Sequence, residues 1–273
     1  MRRKILVLLV ICLMLIGCGK KGNQFTYEVD FTYGEIEDID MLFEEFMNKM
    51  WQANPEWDWQ GTQFTDISFA FKQEIIDFYK ETLEILLSFD TTNLSREQRL
   101  NRDLLAKFLS ESIEGEKFLY HEYFIDQFAG IPISLPADLA LDHEIDSIED
   151  ARNYIAKLKA FPWKLGQLKE GIKKQIELGI IPPEYIFSSF SMLVFQFQNT
   201  EPQGNILYTT FETKLEKCTG ISEEDNALLK EDALAAIEND VYTAYQDLHE
   251  FLLPYLRDVQ LPTVKAGVWE LPQ

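Results

Sequence analysis

Positive charge is scarce in this chain. Its 25 lysines and arginines face 46 aspartates and glutamates, for a formal net charge of −21. Such a surface repels polyanions, which excludes DNA and RNA as partners and disfavours anionic lipid headgroups. The acidic residues are spread along the chain rather than gathered in blocks, the pattern of a solvated surface. Cysteine is nearly absent: Cys12, Cys18 and Cys218 are the whole complement. Two of the three fall in the N-terminal stretch discussed below, so Cys218 has no partner for an internal disulfide and no neighbours for a zinc cluster. Histidine is equally rare, with three copies. A Gly-x-Ser-x-Gly elbow, a glycine-rich phosphate loop and a Cys-x-x-Cys pair are all missing, which removes the common nucleophile, nucleotide and redox signatures.

An apolar run is present, but it is short. Arg2, Arg3 and Lys4 precede Ile5–Ile16, and the run closes in Leu15-Ile16-Gly17-Cys18. A membrane-spanning helix needs roughly 20 apolar residues, so the stretch reads as an export signal. Its end resembles the bacterial lipobox, in which the cysteine is acylated and becomes the mature N-terminus. The expected organisation is therefore a signal peptide over 1–17, a lipidated flexible tether over 18–35 anchored through Cys18, and a helical domain over 36–273. At least two acyl chains on one residue give stable anchoring. The expected address is the cell membrane, on its extracytoplasmic face.

The remainder predicts an all-α fold, an irregular array of long antiparallel helices. Its organising stretch runs from Ser147 to Tyr185. Ser147 with Asp150 three residues on is a capping signal. Ala151, Tyr154, Ile155 and Leu158 then share a helical face. Pro162 is expected to end or kink that helix, because it lacks an N–H and disfavours helix at Phe161. A second helix carries Leu165, Leu168, Ile172 and Ile176 inward, with Lys169, Lys173 and Lys174 toward water. Gly179 suits a left-handed C-cap, and Pro182-Pro183 open a third helix.

Before that stretch, helices are expected from about Asp38 or Asp40 to Trp51 (buried stripe Leu42, Phe43, Phe46, Met47, Met50), from about Asp66 to Phe89 (Ile75, Phe78, Tyr79, Ile85 and Leu86 inward) and from Ser95 to Leu119. The last opens on a Ser95/Gln98 capping box and is expected to bury Leu104, Leu105 and Phe108. Trp51, Trp57 and Trp59 cluster around Pro55 and Gly61, where they either fill a gap against the core or grip a ligand. Tyr120–Asp146 has no clean period and reads as a long loop lining a cleft. After it, Pro183–Gln198 is apolar around most of its circumference, the mark of a helix buried on several sides. Ile206–Lys217 is ambiguous, and Tyr208–Phe211 is strand-like. Ser222 and Asp225 cap a long last helix with Leu229, Ile237, Val241, Tyr245, Leu248 and Leu252 in one stripe, kinked or ended by Pro254.

All three histidines precede glutamate: His121-Glu122, His143-Glu144 and His249-Glu250. A zinc-peptidase helix needs a second histidine four residues on, so that both imidazoles reach the metal from one face. Ile125, Ser147 and Leu253 stand there instead. No catalytic residue and no metal ligand is therefore assigned. The candidate cleft comprises His121, Glu122, Asp126 and His143, of which His121, Glu122 and Asp126 converge only if their segment is helical.

The order of FEEFMNKMWQANPEW, LSREQRLNRDLLAKFL, GIPISLP, DARNYIAKLKAFP, GIIPP and DVYTAYQDLHEFLLPYL resembles the bacterial domain-of-unknown-function 885 family, from about Met41 onward. The resemblance implies an all-helical protein related to helical zinc peptidases of the thermostable-carboxypeptidase and neurolysin type, often exported and in some members lipidated. It also implies a zinc motif, His-Glu followed by Pro-Gly-His-His, in a C-terminal half that this sequence does not contain. No site residue transfers, and no cofactor is expected unless zinc comes with a C-terminal half.

Two readings result. In the first, the chain is the N-terminal helical half of a peptidase-like lipoprotein, without catalysis by itself, either a truncated product or one that assembles with a separately encoded C-terminal half. Its tail residues Val268, Trp269 and Leu271, and an exposed apolar patch, would await that half. In the second, it is an extracytoplasmic binding lipoprotein for a peptide or small ligand, walled by the Trp57/Trp59 region and Tyr120–Asp146. A complete enzyme using carboxylates alone is the least favoured alternative.

Overall fold

The computed structural model describes residues 25, 27–126 and 130–257. The lipobox with Cys18 and the tail with Val268, Trp269 and Leu271 lie outside the described residues. Among those described the fold is all-α, and no strand forms. Side-chain caps start several helices, and Asp38, Ser95, Ser147 and Ser222 are those the sequence signals. Asp38 accepts the Met41 N–H at the head of α1 (Ile39–Ala53). Ser68 opens α2 (Phe69–Ser88), and the complete Ser95/Gln98 capping box opens α3 (Arg96–Glu114). These three helices enclose a small core of Leu42, Phe46, Phe78, Tyr79, Leu86 and Leu109.

The stripes differ in detail from expectation. Leu104 and Phe108 of α3 are exposed, and Leu109 is its buried residue, with Leu105 and Ala106 packed partly against the core. Met47 of α1 also faces outward. The segment expected to be a flexible tether is pinned over its described part. Tyr27 donates through Oη to the Ala53 carbonyl at 2.9 Å, and Phe31 and Tyr33 lay their rings against Phe78 at 4.9 and 5.4 Å. Aromatic side chains that can bury on a ready-made core do not leave a segment free.

A larger core follows, built on α5 (Ile148–Glu177). This helix runs on through Pro162 rather than ending there. Pro162 sits on its exposed side, while Leu158, Phe161, Leu165 and Leu168 are buried on both sides of it. Burial of that continuous stripe, at about 1.5–3 kcal/mol per large side chain, outweighs the missing bond. Gly179 then adopts φ +75°. Gly179 N–H reaches the Ile176 carbonyl and Ile180 N–H the Gln175 carbonyl, the two bonds of a Schellman ending.

Three further expectations are corrected. Half of the supposed loop is helical: α4 spans Ile131–Asp142, with Pro132 in its first turn and Pro136 inside. Pro132 fits because a first-turn N–H needs no helical partner. The helix α6 (Glu184–Gln198) buries one face only, through Phe187, Phe190 and Val194, and exposes Tyr185, Met192 and Phe195. The strand-like Tyr208–Phe211 lies within α7 (Ile206–Lys217), capped by Asn205 and burying Leu207, Phe211 and Leu215. Ser222 caps α8 (Glu223–Ala236), which passes through a π turn at Ile237–Val241 into α9 (Tyr242–Arg257). Pro254 lies inside α9 and does not end it. The π turn and α9 pack on α5, and α9 pairs most extensively with α6.

Candidate functional site

Two features stand out from ordinary packing: a buried polar seam and an exposed apolar face. The seam lies where the α1–α2 connector crosses α5. Lys157 and Lys164 project from α5 seven residues apart, on the face that carries Tyr154 and Phe161. Lys157 is completely buried and Lys164 is 3% exposed. Lys164 Nζ lies 2.9 Å from Glu56 Oε2 and donates to the Thr65 carbonyl at 2.7 Å. Lys157 Nζ donates to the Trp59 carbonyl at 2.6 Å and stands 4.6 Å from the centre of the Trp59 ring. Burial pushes Lys157 down to about 8, against the opposing pull of Glu56 and Asp58. Burial also lowers Lys164, with Glu56 again opposing. Both ammonium groups are spent on a loop, so the seam is a clamp holding Glu56–Asp66 onto α5.

His143 belongs to this clamp. It is fully buried, with Nδ1 2.5 Å from the Trp59 carbonyl and Nε2 2.9 Å from the Asp150 carbonyl. Two carbonyls favour a doubly protonated ring, while burial and nearby Lys157 disfavour its charge. Desolvation is the larger influence and sets the pKa below its ordinary value.

The other residues of the sequence-derived cleft sit elsewhere. His121 and Glu122 occupy a turn rather than a helix, so helical convergence with Asp126 is not what the structure shows. His121 packs edge-on against Phe118 at 5.8 Å, and the exposed Glu122 meets Lys72 at 3.5 Å. Gln175 of α5 donates to the Tyr120 and Glu122 carbonyls at 2.8 and 2.6 Å, fastening that turn to the larger core. His249 Nδ1 is 3.3 Å from Ser191 Oγ. Among the described residues no group of three His, Cys, Asp or Glu side chains is placed to hold a metal ion. The described residues thus offer zinc no ligand set. The lysines of the seam were missed in the sequence because a lysine reads as surface. Their seven-residue spacing, in phase with Tyr154 and Phe161, is the signal that marks them.

The tryptophans divide. Trp59 packs against the larger core, as the gap-filling reading expects, whereas Trp51 and Trp57 are half exposed and meet edge to face at 5.2 Å. With Met47 and Phe108, Trp57 borders a groove of about 480 Å³ floored by Met50, Ile75 and Tyr79. Leu104 and Leu100 continue the line along α3, each four residues from the last and 58% exposed. Six large apolar side chains from α1, the connector and α3 thus face outward on the small lobe. Apolar residues scattered singly are normal on a surface; six on one lobe are more than that.

A family model described as bacterial protein of unknown function (DUF885) matches residues 56–263. The chain belongs to the DUF885 family. Its fold is similar to a crystal structure from Colwellia psychrerythraea, provisionally described as a lipoprotein, with a TM-score of 0.73 at 13% identity. The likeness covers 86% of this DUF885 chain and 43% of that one, so the chain spans less than half the length of the solved relative. No curated protein matches it. Among the described residues no helix is long and apolar enough to cross a membrane.

Proposed function

We propose that this DUF885 protein is a lipid-anchored, extracytoplasmic helical scaffold, tethered through Cys18, that works by docking a second polypeptide body on the apolar face of α1 and α3. The observation that carries the reading is the line Met47, Trp51, Trp57, Phe108, Leu104 and Leu100, all exposed on one lobe. Two findings support it. The solved relative is more than twice as long as the region shared with this chain, and it is itself described as a lipoprotein. Any peptidase-like chemistry and its zinc would then reside in that second body.

The test is a cysteine placed on the face and probed in cells. In a Cys218→Ser background, Leu104→Cys and, as an exposed control, Glu223→Cys are treated with a membrane-impermeant maleimide. The expected result is labelling of Glu223→Cys on intact cells or spheroplasts, protection of Leu104→Cys there, and labelling of both after purification. Equal labelling of both positions in cells would sink the docking role. Failure to label the control would sink the extracytoplasmic placement. Cys18→Ser is expected to release the protein from the membrane fraction.

The groove beside Trp57 supports a second reading, a binding lipoprotein for a small apolar ligand or peptide. Its volume falls in the range of small-molecule sites.

A further inference from the structure

A second cleft, of about 410 Å³, opens between α5 and α8, away from both the clamp and the apolar face. Its charges are arranged unusually. Arg152 and Lys159 line the α5 wall, and Asp225 and Asp232 line the α8 wall. Opposite charges across a helix interface ordinarily close into ion pairs. Here none crosses the cleft among the described residues: Arg152 reaches only Glu149 on its own helix, at 3.9 Å, and Lys159 and Asp232 enter no ion pair. Burial raises the Asp240 carboxyl, and Lys159 lies near enough to oppose that rise without pairing. Asp225 accepts from the Ser222 hydroxyl at 2.6 Å through one oxygen, leaving the other for the cleft. Between the charged walls lie the buried Ile155 and the exposed Leu228.

We infer that this cleft binds a short zwitterionic peptide with free termini and an apolar side chain. The carboxylate is taken by Lys159 with Arg152 beside it, the ammonium by Asp232 with Asp225 beside it, and the side chain rests on Ile155 and Leu228. Each ligand charge then gains a charge-assisted hydrogen bond in a site that already holds its complement apart. A ligand of one sign is attracted by one wall and repelled by the other, so the arrangement discriminates against simple anions and cations. The inference needs neither the lipid anchor nor a docked partner.

The probe is the tripeptide alanyl-leucyl-alanine, titrated calorimetrically into the purified chain. One-to-one saturable binding is expected, weakened at least about tenfold by N-acetylation and likewise by C-amidation. Lys159→Ala is expected to weaken the free peptide while leaving the C-amidated peptide unchanged, and Asp232→Asn to do the converse with the N-acetylated form. Both positions are exposed, and unchanged thermal melts confirm that the variants fold. No saturable heat at millimolar peptide overturns the inference, as does equal binding of the blocked peptides, which is apolar adhesion alone. Insensitivity to both substitutions overturns it too. None of these outcomes bears on the α1–α3 face, which the maleimide experiment tests separately.

Discussion

Lys164 Nζ sits 2.9 Å from Glu56 Oε2, joining the middle of α5 to a connector 108 residues earlier in the chain. The lysine is almost wholly buried and the carboxylate one-fifth exposed. The pair therefore fixes how the small lobe sits on the large one, more than it adds net stability, since burying two charges costs nearly what their attraction returns.

Removing one partner is a different matter. Glu56→Gln leaves a buried ammonium with neutral acceptors and no counter-charge, and about 3 kcal/mol of destabilisation is expected. Urea unfolding monitored by tryptophan fluorescence measures it. Glu56→Gln combined with Lys164→Met is expected to cost less than the two single changes added together. Strict additivity would show that the two side chains do not act as a pair.

Stability is expected to rise between pH 8 and 10. Lys157 loses its proton near 8 in the folded state, against an ordinary 10.5. Below 8 the lysine is charged in both states, and the burial penalty is fully present. Between these values the unfolded chain binds more protons than the folded one, so raising the pH favours folding. Above 10 the trend reverses, because burial raises Tyr27 and Tyr33 to about 12 and only the unfolded chain ionises them. From pH 7.5 to 9.5 the wild type should gain about 1–2 kcal/mol relative to Lys157→Met, read from paired denaturation curves. A constant gap between the two proteins would place Lys157 in water.

Gly171 and Gly166 lie on the same helix and should respond oppositely to alanine. A Cβ at Gly171 would stand 2.5 Å from the Phe124 ring, whereas at Gly166 it would meet nothing within 4 Å. Gly171→Ala is expected to lower stability by about 1–3 kcal/mol through displacement of Phe124. Gly166→Ala is expected to raise it by up to about 1 kcal/mol through helix propensity. Thermal melts distinguish the two, and a shared sign would show that the Phe124 contact does not set the outcome.

Tyr245 is buried completely, with its hydroxyl donating to the Pro132 carbonyl at 2.5 Å. Tyr245→Phe leaves that carbonyl without its partner and should cost about 1–2 kcal/mol. The ring itself stacks on Phe197 at 4.2 Å and remains in place. A loss near zero would mean that another donor replaces the hydroxyl.

What was legible in the sequence was local chemistry. Ser95 with Gln98, Ser147 with Asp150, Ser222 with Asp225 and the glycine at 179 each signalled a helix end that forms. Three things were not legible, for physical reasons. Pro162 signals an end or a kink, and the burial of Phe161 and Leu165 that carries the helix past it is a tertiary effect. Pro132 and Pro136 hid α4 because prolines in a first turn and in a loop look alike without neighbours. The clamp was hidden because Lys157 and Lys164 are buried only by a connector about a hundred residues away. The four residues chosen for a cleft shared composition, not location: His143 went to the core and Glu122 to the surface.

The π turn at Ile237–Val241 lets one side chain in every four keep facing α5. From Leu229 to Tyr245 the buried residues Leu229, Ala233, Ile237, Val241 and Tyr245 recur at intervals of four. On a regular helix each such step swings the next residue roughly 40° further around, because four residues overshoot a 3.6-residue turn. Four steps would carry Tyr245 nearly to the opposite side, out of reach of the Pro132 carbonyl. One slackened turn takes up that overshoot, so a single-residue deletion there should detach the last helix from its seat while leaving its helicity intact.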